Sequence, residues 1–150
     1  KVGESGNMFL GTYLHNIDNK NRLALPSKIA AKLSKSVVVS KGFDGCLELR
    51  TIDDFNRYAD TLMSYSANKH ENRIVVRQLL ANASEITIDS AKRILIPATL
   101  LKEVNITSDV TIIGVGNKLE IWDSKAYKAF KDKNDKTYEA IAERIEDDNK

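Results

Sequence analysis

The chain carries one nine-residue motif twice, and this internal repeat constrains the fold more than any other feature. Residues Asp18 to Pro26 (DNKNRLALP) recur 71 positions later as Asp89 to Pro97 (DSAKRILIP), both of the form D-x-x-x-R-apolar-x-apolar-P. A second match follows after a slip of one residue, because Cys46 to Arg50 (CLELR) lies 72 positions before Lys118 to Trp122 (KLEIW). Two copies predict a pseudo-twofold structure and not a solenoid of many stacked repeats.

Each copy has the pattern of a small β-rich unit. One strand leads into the tight D-x-x-x-R turn, a second strand leaves it, and proline at the first helical position then begins a helix of one or two turns. Two further strands joined by a glycine-containing hairpin turn complete the copy. Strands this short leave open edges in a single copy, so we expect the two copies to pair. The predicted strands are residues 9–17, 22–25, 37–39 and 46–50 in copy one, and 85–88, 93–96, 110–115 and 118–122 in copy two.

The repeat also sets the expected boundaries. We expect residues 1–7 (KVGESGN) to be a remnant of cloning before a natural start at Met8. Residues 8–82 then hold the first copy with its helices, and residues 83–150 hold the second copy with C-terminal helices. Together they are expected to form one domain, because one copy is too small to bury a core of its own.

Amphipathic helices are predicted after each copy. Residues 54–66 contain five apolar residues at helical spacing, and residues 73–80 form a second candidate helix. Near the C-terminus, apolar residues within 126–130 and 138–145 predict two helices separated by a polar break at Asp132 to Asp135. We expect these apolar stripes to pack mainly on their own sheet. Packing against a neighbouring subunit is the alternative.

Composition and motif content do not favour an enzyme, a metalloprotein or a membrane protein. The single cysteine, Cys46, excludes an internal disulfide and any multi-cysteine zinc site, which suits a reducing cytoplasm. No apolar run approaches the roughly 18 residues of a membrane span. No nucleophile, phosphate-loop, dinucleotide or zinc-protease motif is present. We therefore expect no catalytic residues, no cofactor, no metal, no membrane and no small-molecule substrate. An enzyme stays open only if a concave pocket pairs His15 with a carboxylate.

The repeated turn is the strongest candidate site. Asp18 and Asp89 can accept hydrogen bonds from nearby backbone N–H groups and so shape the turn. Arg22 and Arg93 leave the turn at the start of the next strand, and a guanidinium can bridge phosphate oxygens or read guanine bidentately. The turn alone supports two interpretations equally: a contact to DNA, or an Asp–Arg ion pair that only pins the turn.

Local charge favours the DNA interpretation. The whole chain carries a net charge of only +2, but the stretch from His15 to Lys41 holds six basic residues against one acid, a local charge of +5. Aromatic residues for stacking on single-stranded bases are missing from this stretch, so duplex phosphates are the preferred target. Copy two is less basic, although the segment between the copies adds three cations. The basic residues are Lys20, Arg22, Lys28, Lys32, Lys35 and Lys41 in the first stretch, and Lys69, Arg73 and Arg77 between the copies.

The sequence resembles a known protein family. Residues 8–26 (MFLGTYLHNIDNKNRLALP) are similar to the opening signature of the MraZ family of bacterial transcriptional regulators, in the AbrB/SpoVT-like superfamily. The tracts 72–77 (NRIVVR) and 83–97 (ASEITIDSAKRILIP) resemble that family's second signature. The resemblance covers residues 8–145 and includes both D-x-x-x-R turns at family spacing.

The resemblance implies a fold, a function and a site. The implied fold is α+β and β-rich: a pseudo-twofold, AbrB-like swapped-hairpin β-barrel built from the two repeats, with peripheral helices. The implied function is sequence-specific binding of double-stranded DNA in the cytoplasm, at the nucleoid, as a homo-oligomeric ring. The implied targets are repeated promoter elements of the division and cell-wall gene cluster. Carried over to this chain, the DNA-binding residues are Arg22, Arg93, Lys20, Lys92 and Asn21, and the turn-shaping residues are Asp18 and Asp89.

Two departures from the family pattern bear on the turns. Asn21 and Lys92 stand where the family usually has glycine, and lysine adopts left-handed backbone geometry less readily than asparagine. The second turn is therefore expected to differ in shape from the first. An arginine that commonly follows the first short helix's apolar pair is replaced by Ile29-Ala30.

Ring geometry adds an expectation about the operator. Subunits of a ring present their turns head-to-tail, so they should prefer direct repeats over a palindrome, spaced by roughly 10 bp. The runner-up function is an AbrB-fold scaffold or protein-interaction module of the antitoxin-like kind.

Overall fold

A computed structural model describes residues 8–149 of the chain. The expectation for residues 1–7 lies outside these described residues. In chain order the elements are β1 (Thr12–Asn16), β2 (Arg22–Ala24), α1 (Ser27–Ala30), β3 (Ser36–Lys41), β4 (Leu47–Thr51), α2 (Ile52–Met63), α3 (His70–Ala81), β5 (Ser84–Thr87), β6 (Arg93–Leu95), α4 (Ala98–Glu103), β7 (Asp109–Gly114), β8 (Leu119–Asp123), α5 (Ser124–Asp135) and α6 (Tyr138–Asp148).

The two copies exchange strands. Strand β1 of copy one pairs antiparallel with β7 of copy two, and β5 of copy two pairs in the equivalent way with β3 of copy one. The resulting antiparallel sheet has the strand order β1-β7-β8-β4-β3-β5. Each copy's first strand therefore completes the hairpin of the other copy, which gives the swapped arrangement.

A pseudo-twofold axis runs through two pairs of equivalent strands. Strands β2 and β6 form a separate two-stranded ribbon in which Leu23 is directly opposite its repeat equivalent Ile94. On the other side, β4 pairs with β8 so that Glu48 is opposite its equivalent Glu120. Strand β2 contacts β1 and β6 contacts β5, so the eight strands surround one core in barrel-like order, although the ladders do not run continuously around it.

The core draws on both copies. Leu23 and Ile94 from the ribbon are fully buried, as are aliphatic side chains of β3, β4, β7 and β8. A smaller cluster forms where α2 and α3 pack on β3, around Val38, Phe55 and Leu79. The main core lies between the aliphatic inward faces of the strands. The smaller cluster lies under the pair of helices α2 and α3, outside the sheet. The α+β, β-rich class with two repeats and peripheral helices is thus confirmed.

The short helices begin one residue later than predicted. Pro26 and Pro97 stand at the N-cap of α1 and α4 and not at the first helical position. Their backbone is extended (φ −56° and −55°), and the following residue begins the helix. Helices α2 and α5 have side-chain caps, because Thr51 accepts from the N–H group of Asp54 and its equivalent Asp123 accepts from that of Ala126.

The C-terminal helices differ from the prediction in two ways. The polar break predicted at Asp132 to Asp135 is wrong, because α5 continues to Asp135 and the break falls at residues 136–137. Ion pairs one turn apart, Lys128–Asp132 and Lys131–Asp135, support the helix there. The expectation that the apolar stripes pack mainly on their own sheet does not hold for α6, because this helix buries no residue.

Candidate nucleic-acid interface

Each D-x-x-x-R turn is closed by one aspartate. In the first turn, Asp18 Oδ1 accepts hydrogen bonds from the backbone N–H groups of Lys20 (2.9 Å) and Arg22 (2.8 Å), and Oδ2 accepts from Arg22 Nε (2.9 Å). Two backbone hydrogen bonds complete it: Asn21 N–H donates to the Asp18 carbonyl, and Asp18 N–H donates to the Arg22 carbonyl, both at 3.0 Å. The aspartate thus fixes both the backbone of the turn and the arginine that leaves it.

The second turn repeats this geometry. Asp89 Oδ1 accepts from the N–H groups of Ala91 and Arg93, and Oδ2 accepts from Arg93 Nε, each at 2.9 Å. Asn21 and Lys92 adopt the same left-handed backbone, with φ of 63° and 62°. The expected difference in shape is therefore wrong. Five hydrogen bonds, the three to the Asp89 carboxylate and two between backbone groups of the turn, hold Lys92 in a conformation that lysine by itself does not favour.

Both aspartates are held in the ionised form. Donation from the backbone N–H of Arg22 lowers the pKa of Asp18, and the guanidinium of Arg22 and the N–H of Lys20 act in the same direction against partial desolvation. In the same way, the N–H of Arg93 lowers the pKa of Asp89, helped by its guanidinium and the N–H of Ala91. Hydrogen bonds to a charged carboxylate favour the charged form.

The ribbon places both arginines on one face. Because side chains alternate along a strand, Leu23 and Ile94 point into the core, while Arg22, Ala24, Arg93 and Leu95 point outward. Arg22 is opposite Leu95 and Arg93 is opposite Ala24, so the two arginines are diagonal neighbours, with Cα atoms on the order of 8 Å apart by strand geometry. Each arginine uses Nε in its ion pair, and its two terminal nitrogens have no hydrogen bond within the described part of the chain.

Comparison with known proteins identifies the family. The family model described as MraZ protein, antitoxin-like, matches the chain twice, over residues 8–78 and 79–149. The chain belongs to the MraZ family. It is 48% identical over 141 residues to the "Transcriptional regulator MraZ" of Mycoplasmoides gallisepticum, covering 94% of this chain and 99% of that protein. The regulators of the same name from Mesoplasma florum and Clostridium tetani are 44% and 36% identical, each match covering 92% of this chain and 95% and 96% of the relative.

The lysines of this MraZ-family chain divide into two groups. Lys20 and Lys92 are exposed, one on each D-x-x-x-R turn but at different positions of it. Two other lysines of the basic stretch contact the protein itself: Lys32 donates to the carbonyl of Met8 (3.0 Å), and Lys41 is 3.3 Å from Glu103. The sequence therefore overstated the basic surface, because charge counted along the chain does not show which cations are already paired.

A cavity of about 320 Å³ lies at the edge strand β1, lined by Leu14, His15, Asn16, Asp109 and Ser124. It brings His15 near a carboxylate, which is what the enzyme alternative requires. Asp109, however, accepts its hydrogen bond from Asn16 Nδ2 (2.9 Å), and no hydrogen bond or ion pair joins it to His15 among residues 8–149. These same residues contain no cluster of His, Cys, Asp or Glu suited to a metal ion. They also contain no helix long and apolar enough to cross a membrane.

One buried charged cluster was missed by the sequence reasoning. Glu48, 1% exposed, accepts from Arg50 Nη1 (2.7 Å) and Lys118 Nζ (2.9 Å), and Arg50 stacks on the Tyr58 ring at 3.9 Å. Beside it, burial raises the pKa of the Cys46 thiol to about 12, which leaves it protonated and unreactive. The available signal was the placement of Glu48 between two leucines in a strand, a charged residue in an apolar run.

Proposed function

We propose that this MraZ-family chain is a transcriptional regulator that binds double-stranded DNA through its two D-x-x-x-R turns and the ribbon between them. The observation that carries the proposal is the pair of preorganised arginines, Arg22 and Arg93, on one exposed face. The relatives of this chain are named transcriptional regulators, which supports the same class of activity.

The aspartates position the arginines and leave their terminal nitrogens without a hydrogen bond in residues 8–149. Asp18 and Asp89 each bind Nε of the neighbouring arginine, and this fixes the guanidinium group before any ligand binds. An arginine fixed in this way loses less side-chain entropy when it contacts a phosphate or a guanine edge. Lys20, Lys92 and Asn21 lie in the same turns and add contacts to phosphates. The ion pair and the DNA contact are thus two uses of one side chain.

The ribbon fits the major groove. That groove is about 12 Å wide and admits a two-stranded β-ribbon. Between the arginines the outward face carries Ala24 and Leu95, and Leu95 is 58% exposed. An apolar side chain at that position suits the C5-methyl group of thymine.

The proposed target and assembly follow the family resemblance. The DNA is a set of repeated promoter elements of the division and cell-wall gene cluster, bound at the nucleoid in the cytoplasm. The protein acts as a ring-shaped homo-oligomer. Head-to-tail subunits favour direct repeats spaced by about 10 bp. Footprints that require an inverted repeat would contradict this arrangement.

A salt-dependent binding titration tests the site. The Arg22→Ala, Arg93→Ala variant is compared with the unaltered protein on duplex from its own upstream region and on a shuffled duplex. We expect the unaltered protein to prefer the native duplex. The variant should bind more weakly, with a slope of log K against log salt that is shallower by about 2 per bound subunit if both turns contact phosphates, and by about 1 if only one does.

The matched control removes the same charge elsewhere. Lys125→Ala, Lys133→Ala changes two exposed residues of α5, away from the ribbon, and should leave both affinity and slope unchanged. If the folded arginine variant binds native duplex as tightly as the unaltered protein, the arginines are structural and the proposed site is wrong.

The second candidate is an oligomeric interaction module of the antitoxin-like kind. The family description supports it, as does the exposed apolar face of α6, where Tyr138 is 73% exposed. A protein that assembles but does not distinguish native from shuffled duplex would favour this candidate.

A further inference from the structure

Two surfaces within residues 8–149 expose apolar side chains to solvent. The first is α6, an amphipathic helix on which Tyr138, Ile141 and Ile145 form one stripe, and no residue of this helix is buried. Its equivalent in copy one, α3, instead returns to pack on α2 and β3 and buries Leu79. An amphipathic helix of this kind normally covers its apolar face.

The second surface is a groove between the end of α2 and α3, here called the α3 groove. The groove encloses a cavity of about 280 Å³, and its lining residues include Met63, Tyr65, Arg73, Val76 and Arg77. Met63 and Tyr65 are 50% and 54% exposed, so the groove presents apolar surface to solvent. Arg73 is held at the rim by donation to the Ala67 carbonyl (2.8 Å), and Arg77 has no acidic partner among residues 8–149.

The charges of the two surfaces are opposite. Residues 138–148 hold five carboxylates against one arginine, a net charge of −4. Residues 69–81 hold three cations against one carboxylate, a net charge of +2. On α6, Glu139 and Glu146 lie on one flank of the apolar stripe, and on α3, Arg73 and Arg77 lie on one side of the helix and line the groove.

We propose that α6 of one subunit docks in the α3 groove of a second copy of this chain. The apolar stripe then covers the groove, and Glu139 and Glu146 pair with Arg73 and Arg77. The contact joins two different surfaces, so it is head-to-tail, and a repeated head-to-tail contact produces a ring when its rotation closes. This inference rests on the homo-oligomer of the proposed function and assigns its interface. It reserves Arg73 and Arg77 for protein contact and leaves the DNA contact to the turns.

Charge reversal tests the pairing. The groove variant is Arg73→Glu, Arg77→Glu, the helix variant is Glu139→Lys, Glu146→Lys, and a third protein carries all four changes. Light scattering after size exclusion, at about 50 mM salt where surface charges are little screened, measures the assembly state. We expect the unaltered protein to assemble and each two-site variant to assemble about 100-fold more weakly, because like charges face each other.

Recombining the variants identifies which surfaces meet. In a one-to-one mixture, the reversed groove of one variant faces the reversed helix of the other, so assembly should return. The four-site protein should also assemble by itself. The Lys125→Glu, Lys133→Glu control makes an equal charge change on α5 and should assemble normally, and circular dichroism checks that every variant is folded.

Three outcomes overturn the interface: an unaltered protein that stays monomeric, a two-site variant that assembles like it, or a folded mixture that stays monomeric. The turns are intact in all these proteins, so each should still bind a short duplex carrying one promoter element. Lost assembly with retained duplex binding separates this proposal from that of the DNA site. Failure of the Arg22, Arg93 titration with successful recombination would reject the DNA site and keep the interface.

Discussion

Lys92 is the residue at which sequence preference and structure disagree most. Its backbone is left-handed, with φ of 62°, a conformation that asparagine at the equivalent position 21 tolerates and lysine does not favour. The hydrogen bonds to Asp89 impose it. The side chain at this position is an exposed cation beside Arg93. Lysine therefore lowers the stability of the fold here and supplies a charge that the proposed site uses.

Substitution of this lysine separates the two effects. Lys92→Gly removes the left-handed strain and should raise the free energy of unfolding by about 1 kcal/mol, measured by urea denaturation. The same change should weaken duplex binding and make its salt slope shallower by about 0.9. Asn21→Gly is the matched control, with a smaller gain in stability and no loss of slope. A Lys92→Gly protein that is less stable than the unaltered one would contradict the strain argument.

The aspartates of the turns give the fold a pH dependence of known sign. Their folded pKa is lowered, so their ionised form stabilises the fold above the ordinary aspartate pKa of about 3.9. That contribution is lost as the pH falls through the lower folded value. Asp18→Asn, Asp89→Asn should therefore unfold more easily at neutral pH, and the difference should shrink as the pH falls below about 4.

Urea denaturation between about pH 6 and about pH 2 checks this expectation. Asp60→Asn, at an exposed position of α2, controls for the loss of a negative charge. A difference that stays constant over the whole range would show that ionisation of the turn aspartates does not stabilise the fold.

At the scale of elements, the pairing of β4 with β8 brings two carboxylates together on the pseudo-twofold axis. Glu48 and Glu120 are directly opposite each other, and like charges at such positions destabilise a sheet. The copies have diverged to remove the conflict. Glu48 binds Arg50 and Lys118, whereas the side chain of Glu120 accepts a hydrogen bond from the Trp122 indole N–H, at 3.0 Å, and forms no ion pair within residues 8–149. Arg50 and Trp122 are themselves repeat equivalents.

This divergence predicts unequal effects from equivalent substitutions. Glu48→Ala leaves the buried guanidinium of Arg50 unpaired and should lower the free energy of unfolding by about 3–5 kcal/mol. Glu120→Ala removes one hydrogen bond from a half-buried position and should cost about 1 kcal/mol. Chemical denaturation of both variants measures the difference. Equal costs would show that the cluster around Glu48 does not hold the two strands together.

At the scale of the whole molecule, neither copy forms a complete sheet from its own strands. The β3–β4 hairpin of copy one is completed by β5, and the β7–β8 hairpin of copy two is completed by β1. The core likewise combines Leu23 with Ile94 across the ribbon. Folding therefore depends on contacts between residues 45 to 101 positions apart. The loop-closure entropy of these contacts is offset only when both copies are present.

A half-length chain tests this dependence. A peptide of residues 8–82 should show no cooperative unfolding transition as a monomer, because its exposed strand edges and half-core have no partner. Circular dichroism with size exclusion measures both properties, and dimerisation through the same exchanged strands is consistent with the argument. A monomeric peptide with a cooperative transition would contradict it.

What the sequence by itself determined is local. The two D-x-x-x-R turns, the proline-started helices and the glycine-containing hairpins follow from residues within a few positions of each other, and the repeat made each feature visible twice. Hydrogen bonds such as those of Asp18 close inside five residues, so no distant contact is needed to predict them. The α+β class and the peripheral helices were predictable for the same reason.

Only the tertiary structure decided how the copies pair, which lysines remain free and where α6 lies. Strand exchange depends on register between distant segments, and a hydropathy pattern fixes which face is buried but not which strand is the neighbour. Lys41 is paired because the fold brings the distant Glu103 to it.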